Sequence, residues 1–187
     1  MKKIITLLSL VLITLQGFSQ IKVGRTVMDY QVEYGGETLV MNGAGTRSML
    51  FIELYSAALY LKDKKSDAIG IAYDDETMAI KIEITSKLIS RETMMNAIED
   101  GFQKATDNNT SSLDSRIAKI REFYLQELVV GDKLDLVYVK GEGVNCYMNN
   151  KKLGVIEGQD FKFALYKIWF GEDPASKSLK EAMLGRS

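Results

Sequence analysis

The stretch Leu50-Phe51-Ile52-Glu53-Leu54-Tyr55-Ser56-Ala57-Ala58-Leu59-Tyr60-Leu61 decides how this chain folds. It is apolar almost without interruption, which suits a strand covered on both faces. A helix is the competing assignment, and the aromatic content favours the strand.

Working back from it, Glu37 to Met41 reads as a short strand, and Val23, Val27, Tyr30, Val32 and Tyr34 mark earlier strands over 22–34. Between them and the apolar run lies Asn42-Gly43-Ala44-Gly45, where the backbone can bend or approach something closely. Working forward, 62–67 is a charged turn. Met78, Ile80, Ile82 and Ile84 then alternate with Lys81 and Glu83 as a half-buried strand. Ser90 is placed to cap a helix striped with Met94, Met95, Ile98 and Phe102. A second helix carries Leu113, Ile117, Ile120, Tyr124 and Leu128. Strands follow through Leu134–Tyr138, Val144–Met148 and Leu153–Ile156, with a turn at Asn149-Asn150. Asp160 is expected to cap a further helix ending at Gly171, and Pro174 to open a last short one closed by Gly185. Strands, two helices, strands and two helices in segregated runs predict an α+β fold, a mainly antiparallel β-sheet with helices packed on one face.

The N-terminus has the three parts of a secretion signal. Met1-Lys2-Lys3 precedes an apolar run from Ile4 to Leu15, and Gly17 and Ser19 are small residues before a cut at Gln20. The run is too short to span a bilayer. The expected division is a signal peptide over 1–19 and one domain over 20–187. The protein is therefore expected to be periplasmic or secreted, with no transmembrane segment after cleavage.

The 187 residues carry a net charge of −1, no histidine and one cysteine. That leaves no broad basic field for nucleic acid, and no imidazole for Ser-His-Asp or Cys-His catalysis or for the usual zinc sites. No metal or cofactor is implied. Cys146, in the alternation Val144, Cys146, Met148, reads as a small core residue.

Arg47 is the first candidate for a site. It follows the glycine stretch and precedes the most apolar strand, where a guanidinium needs an anion or several acceptors. A ligand carboxylate would serve, bound in bidentate fashion; the plain alternative is pairing within the chain, for instance with Glu53. Tyr55 and Tyr60 are either core aromatics or phenols that donate to a ligand. The pairs Asp74-Asp75 and Glu99-Asp100 read as solvated groups.

With these residues in view, the chain resembles the chalcone-isomerase-like family, in particular its exported bacterial branch. The pieces that carry the resemblance are Met41-Asn42-Gly43-Ala44-Gly45-Thr46-Arg47, Leu54-Tyr55-Ser56-Ala57-Ala58-Leu59-Tyr60-Leu61, and Asp160 through Gly171 followed by Asp173-Pro174. The resemblance implies an open-faced sandwich with a ligand cleft between sheet and helices, and it also favours the strand over 50–61. It implies either a ring-closing isomerase or a non-catalytic fatty-acid binder. In the binders an arginine matching Arg47 and a tyrosine matching Tyr55 hold the carboxylate. Of the isomerase set only Arg47 is kept, since Thr93, Asp100 and Ile168 stand where the isomerases carry a tyrosine, an asparagine and a small hydroxyl residue.

The expected function is thus a non-catalytic binder of a fatty acid or similar small apolar carboxylate, held by Arg47 and Tyr55, with Leu54, Ala57, Phe102 and Trp169 as lining. No residue is assigned a catalytic role. The alternatives are a chalcone-isomerase-type intramolecular lyase, or an envelope protein whose cleft is filled by its own side chains. One geometric condition attaches to the binder. On a straight strand Arg47 and Tyr55 would lie about 26 Å apart at about 3.3 Å per residue. The chain must therefore reverse between them, yet 48–54 holds no glycine, proline or asparagine.

Overall fold

The computed structural model describes residues 19–186. The signal peptide expected over 1–19 falls almost wholly outside them.

The chain does reverse between Arg47 and Tyr55. Strand β4 (Glu37–Met49) and strand β5 (Ile52–Leu61) form an antiparallel hairpin. The two residues between them, Leu50 and Phe51, both have positive φ, at 48° and 68°. This is the conformation of a two-residue primed turn, whose twist matches that of the strands it joins. The apolar run of 50–61 is therefore a turn followed by a strand. The short strand expected over Glu37–Met41 continues to Met49, through an irregularity between Met41 and Gly43.

Before the hairpin come β1 (Gln20–Val23), β2 (Thr26–Asp29) and β3 (Gln31–Tyr34). After it come α1 (Ala68–Tyr73), β6 (Met78–Ile84), α2 (Arg91–Ala105) and α3 (Asp114–Phe123). The chain continues with β7 (Lys133–Val139), β8 (Gly143–Met148), β9 (Lys151–Ile156), α4 (Gln159–Phe170) and α5 (Lys177–Met183). Strands β3 to β9 make one seven-stranded sheet in sequential order, every neighbour antiparallel. The fold is α+β, as the segregated element order predicts.

The sheet has two unequal cores. Tyr55, Ala57, Leu59, Ile80, Ile82, Leu136 and Cys146 pack with Phe102, Phe161, Leu165 and Trp169 of the helices. On the other face, Ala58, Tyr60, Ala79 and Val137 pack with Val23, Met28, Leu39 and Met41 under the β1–β2 hairpin. This second cover corrects the picture of a half-wet β6. Lys81 is mostly enclosed, its Nζ 2.6 Å from the buried Asp135 carboxylate. Tyr34 donates to the same carboxylate at 2.7 Å.

Helix ends account for the other departures. Ser90 caps α2 through a capping box with Thr93. Helix α3 stops at Phe123, short of the expected Leu128; the Arg91 guanidinium donates to the carbonyls of Arg121 and Tyr124 there. Gly158, not Asp160, is the N-cap of α4, while Asp160 sits in the first turn and pairs with Arg116 at 2.6 Å. Helix α5 starts at Lys177 under a Ser176 cap, so Pro174 lies in the preceding loop. Helix α1 has too few residues to announce a period and went unforeseen. It is capped by Asp67 and tied down by Lys162, a fully buried residue of α4 whose amine donates to the carbonyls of Ile71, Ala72 and Asp74. Burial pulls that amine down to about 8. Burial likewise pushes the Cys146 thiol up to about 12, in keeping with a core position.

Candidate functional site

The hairpin places Arg47 and Tyr55 directly opposite each other. Directly paired residues project from the same face of a sheet. Here it is the helix face, to which Tyr55 and Ala57 belong. The Arg47 guanidinium carbon lies 5.8 Å from the Tyr55 ring centroid, at the outer reach of a cation–π contact. Tyr55 is buried, and its hydroxyl accepts from Trp169 Nε1 at 3.3 Å. Among the described residues the phenol's own proton has no acceptor, and Arg47 has neither a hydrogen-bond nor an ion-pair partner. Glu53, the carboxylate near it in sequence, instead accepts from the Arg25 N–H at 3.2 Å and the Ser56 hydroxyl at 3.4 Å.

Arg47 opens on a cleft of about 440 Å³, within the range usual for small-molecule sites. Helix α2 contributes Ala97, Asp100, Gly101 and Lys104 to its wall, α4 contributes Ile168, and the following loop contributes Asp173 and Ala175. Lys104 and Asp173 neutralise each other at 2.9 Å, and that contact holds the Asp173 carboxyl below its usual range. A Cβ on Gly101 would come within 2.7 Å of Ile168, so the glycine lets α2 and α4 close on each other behind the cleft. A larger depression of about 830 Å³ lies elsewhere, but its lining includes Asp75, Glu142 and Glu157 and suits no anion.

The glycines upstream of Arg47 serve packing. A Cβ on Gly43 would meet the Ala182 carbonyl oxygen at 2.2 Å, and one on Gly45 the Ala182 Cβ at 2.6 Å, so both admit helix α5 onto β4.

The remaining expected positions fall into two groups. Asp100 and Ile168 line the cleft with Arg47, whereas Thr93 is exposed and engaged in the α2 capping box. Leu54, Ala57, Phe102 and Trp169 are buried in the main core, behind the cleft wall rather than on it. Apart from Asp100, the wall residues of α2 were not anticipated. Their spacing at 97, 100, 101 and 104 is a helical stripe of its own, set beside the stronger apolar stripe of Met94, Ile98 and Phe102.

A sheet of sequential antiparallel strands, helices on one face and a cleft headed by an arginine with no ion-pair partner among the described residues now stand together. The sequence profile described as chalcone isomerase-like matches residues 20–185. This chain belongs to the chalcone isomerase-like family. No curated protein matches its sequence. Among solved structures, the chalcone isomerase-like chain is similar to a fatty-acid binding protein of Arabidopsis thaliana, with a TM-score of 0.69 and 12% identity. The match covers 89% of this chain and 96% of that one. At that identity the likeness is one of fold. Among the described residues no helix of this chalcone isomerase-like protein is long and apolar enough to cross a membrane.

Proposed function

We propose that this protein is a non-catalytic binder of a fatty acid or similar small apolar carboxylate, working in the periplasm or outside the cell. The observation that carries the reading is the unpaired Arg47 guanidinium, laid beside Tyr55 at the head of a cleft. A half-buried guanidinium without a counter-ion among the described residues is suited to a bidentate carboxylate. Ala97, Gly101, Ile168 and Ala175 offer the apolar tail a wall. The fatty-acid binding protein of similar fold agrees with the reading. Placement outside the cytoplasm rests on Lys2, Lys3, the apolar run Ile4–Leu15 and the small residues Gly17 and Ser19.

Ring closure of a chalcone asks for a polarised ketone and a steered phenolate. Here the cleft offers Arg47, Asp100 and the hydrocarbon of Ile168.

The test is solvent extraction of the purified protein, with mass spectrometry of what it carries, and titration with added fatty acids. A co-purified acid, or saturable binding that needs Arg47, supports the proposal; neither being found sinks it. Arg47-dependent consumption of a chalcone, followed by absorbance, would replace it with the isomerase reading. N-terminal sequencing of the protein recovered from the cell envelope, starting at Gln20, tests the export.

A further inference from the structure

We propose that the tip of the β4–β5 hairpin is a membrane-docking finger that enters an anionic lipid surface. Leu50 and Phe51 stand almost wholly clear of the protein, at 83% and 105% relative exposure, and their neighbours Met49 and Ile52 are exposed too. Both turn residues hold the left-handed backbone that L side chains enter only against a steric penalty, and that Asn-Gly fills more easily. At that exposure neither side chain contributes to the core. Folding therefore accounts for neither the choice of large apolar residues nor the strain they bear.

The apolar surface extends beyond the turn. The Thr85 N–H donates to the Leu54 carbonyl at 3.0 Å, and the Gly131 N–H to the Ile84 carbonyl at 2.8 Å. These bonds bring two further loops to the same end of the sheet, carrying the exposed Leu88, Val129 and Val130. Exposed apolar side chains gathered at one end of a sheet mark a partner or a membrane.

Shape and charge favour the membrane. Side chains that project fully from a narrow turn suit a fluid apolar phase, which closes around them without a matching groove. The tip 48–52 and the loop 85–88 carry Lys87 and no acid. Glu53 beside the tip accepts from the backbone N–H of Arg25, an exposed cation, and from the Ser56 hydroxyl, and the exposed Glu127 precedes the third segment. Cations at the base of an apolar wedge meet anionic headgroups while the wedge meets acyl chains.

The experiment is co-sedimentation of the purified protein with vesicles of phosphatidylethanolamine and phosphatidylglycerol, against vesicles of phosphatidylcholine. The protein should pellet with the anionic vesicles, and L50N/F51G should bind at least about a hundredfold less, having lost two membrane-buried apolar side chains. That variant supplies the residues the turn prefers, so it should unfold at a higher urea concentration than the parent, which separates lost docking from lost folding. In F51W, vesicles should shift the emission of the new tryptophan to the blue, and brominated acyl chains should quench it. A parent that stays in the supernatant, a double variant that still pellets equally, or a tip-dependent dimer without vesicle binding would each overturn the proposal. The acid content of L50N/F51G, measured by extraction, should match the parent's, so docking and acid binding stand or fall separately.

Discussion

Arg47 and Tyr55, eight positions apart in sequence, are direct cross-strand partners, and the guanidinium carbon lies 5.8 Å from the ring centroid. The separation that a straight strand would impose is removed by a two-residue reversal at Leu50 and Phe51. A charged group and a phenol are thereby fixed on rigid strands rather than on a loop, and the phenol is held from behind by Trp169.

Arg47→Ala should weaken the binding of a medium-chain fatty acid at least about tenfold in titration calorimetry, the loss expected of a charge-assisted bidentate contact. Its effect on folding should stay within about 1 kcal/mol, since a contact over an aromatic ring at a partly exposed site contributes no more than that. Arg47→Lys should recover only part of the affinity, because an ammonium cannot grip both carboxylate oxygens. Equal affinity in all three proteins would remove Arg47 from the site.

Tyr55→Phe should lower stability by about 1–3 kcal/mol, because it strands the buried Trp169 indole N–H without its acceptor. Pairing it with Trp169→Phe in urea unfolding should show the two changes costing less together than their sum. Additive costs would mean that the 3.3 Å contact carries no energy.

Asp100→Asn should strengthen fatty-acid binding a few-fold. The carboxylate stands on the same cleft wall without an ion-pair partner among the described residues, and it repels an anion arriving at Arg47. The effect should shrink in high salt. Weaker binding in the variant would show that the acid lies elsewhere.

Lys162 makes stability depend on pH in an unusual direction. Burial brings its folded value to about 8, below the ordinary 10.5 that the unfolded chain keeps. Below pH 8 the folded state bears a desolvated charge. Between 8 and 10.5 the unfolded chain holds a proton the folded one has released, so stability rises with pH across that window, by an amount on the order of 2 kcal/mol. Cys146, raised to about 12, acts oppositely above its ordinary 9.0, so the clean interval ends near there. Urea midpoints should climb between about pH 7 and pH 9, and Lys162→Met should flatten the climb. A flat profile in the parent would mean that the amine stays charged.

Much of the sheet was legible because β-strands announce themselves locally. The alternations at Met78–Ile84 and Val144–Met148 and the Asn149-Asn150 turn, whose φ values are 50° and 66°, appear where the residues suggest. The reversal at Leu50-Phe51 was not legible, because neither residue is one that prefers positive φ. Strand pairing on both sides imposed it. The cleft wall on α2 was hidden for a related reason. Ala97, Gly101 and Lys104 form no apolar stripe, and they gain meaning only when α4 and the loop after it stand opposite.

Composition and short-range periodicity, which are properties of neighbours along the chain, carried the α+β class and the family pieces around Arg47, Tyr55 and Trp169. That Arg47 meets Tyr55, that Glu53 turns away, and that Asp100 and Ile168 share the cleft emerges from the packed fold. Those facts depend on strand register and helix packing, where contacts between residues far apart in sequence outweigh local preference.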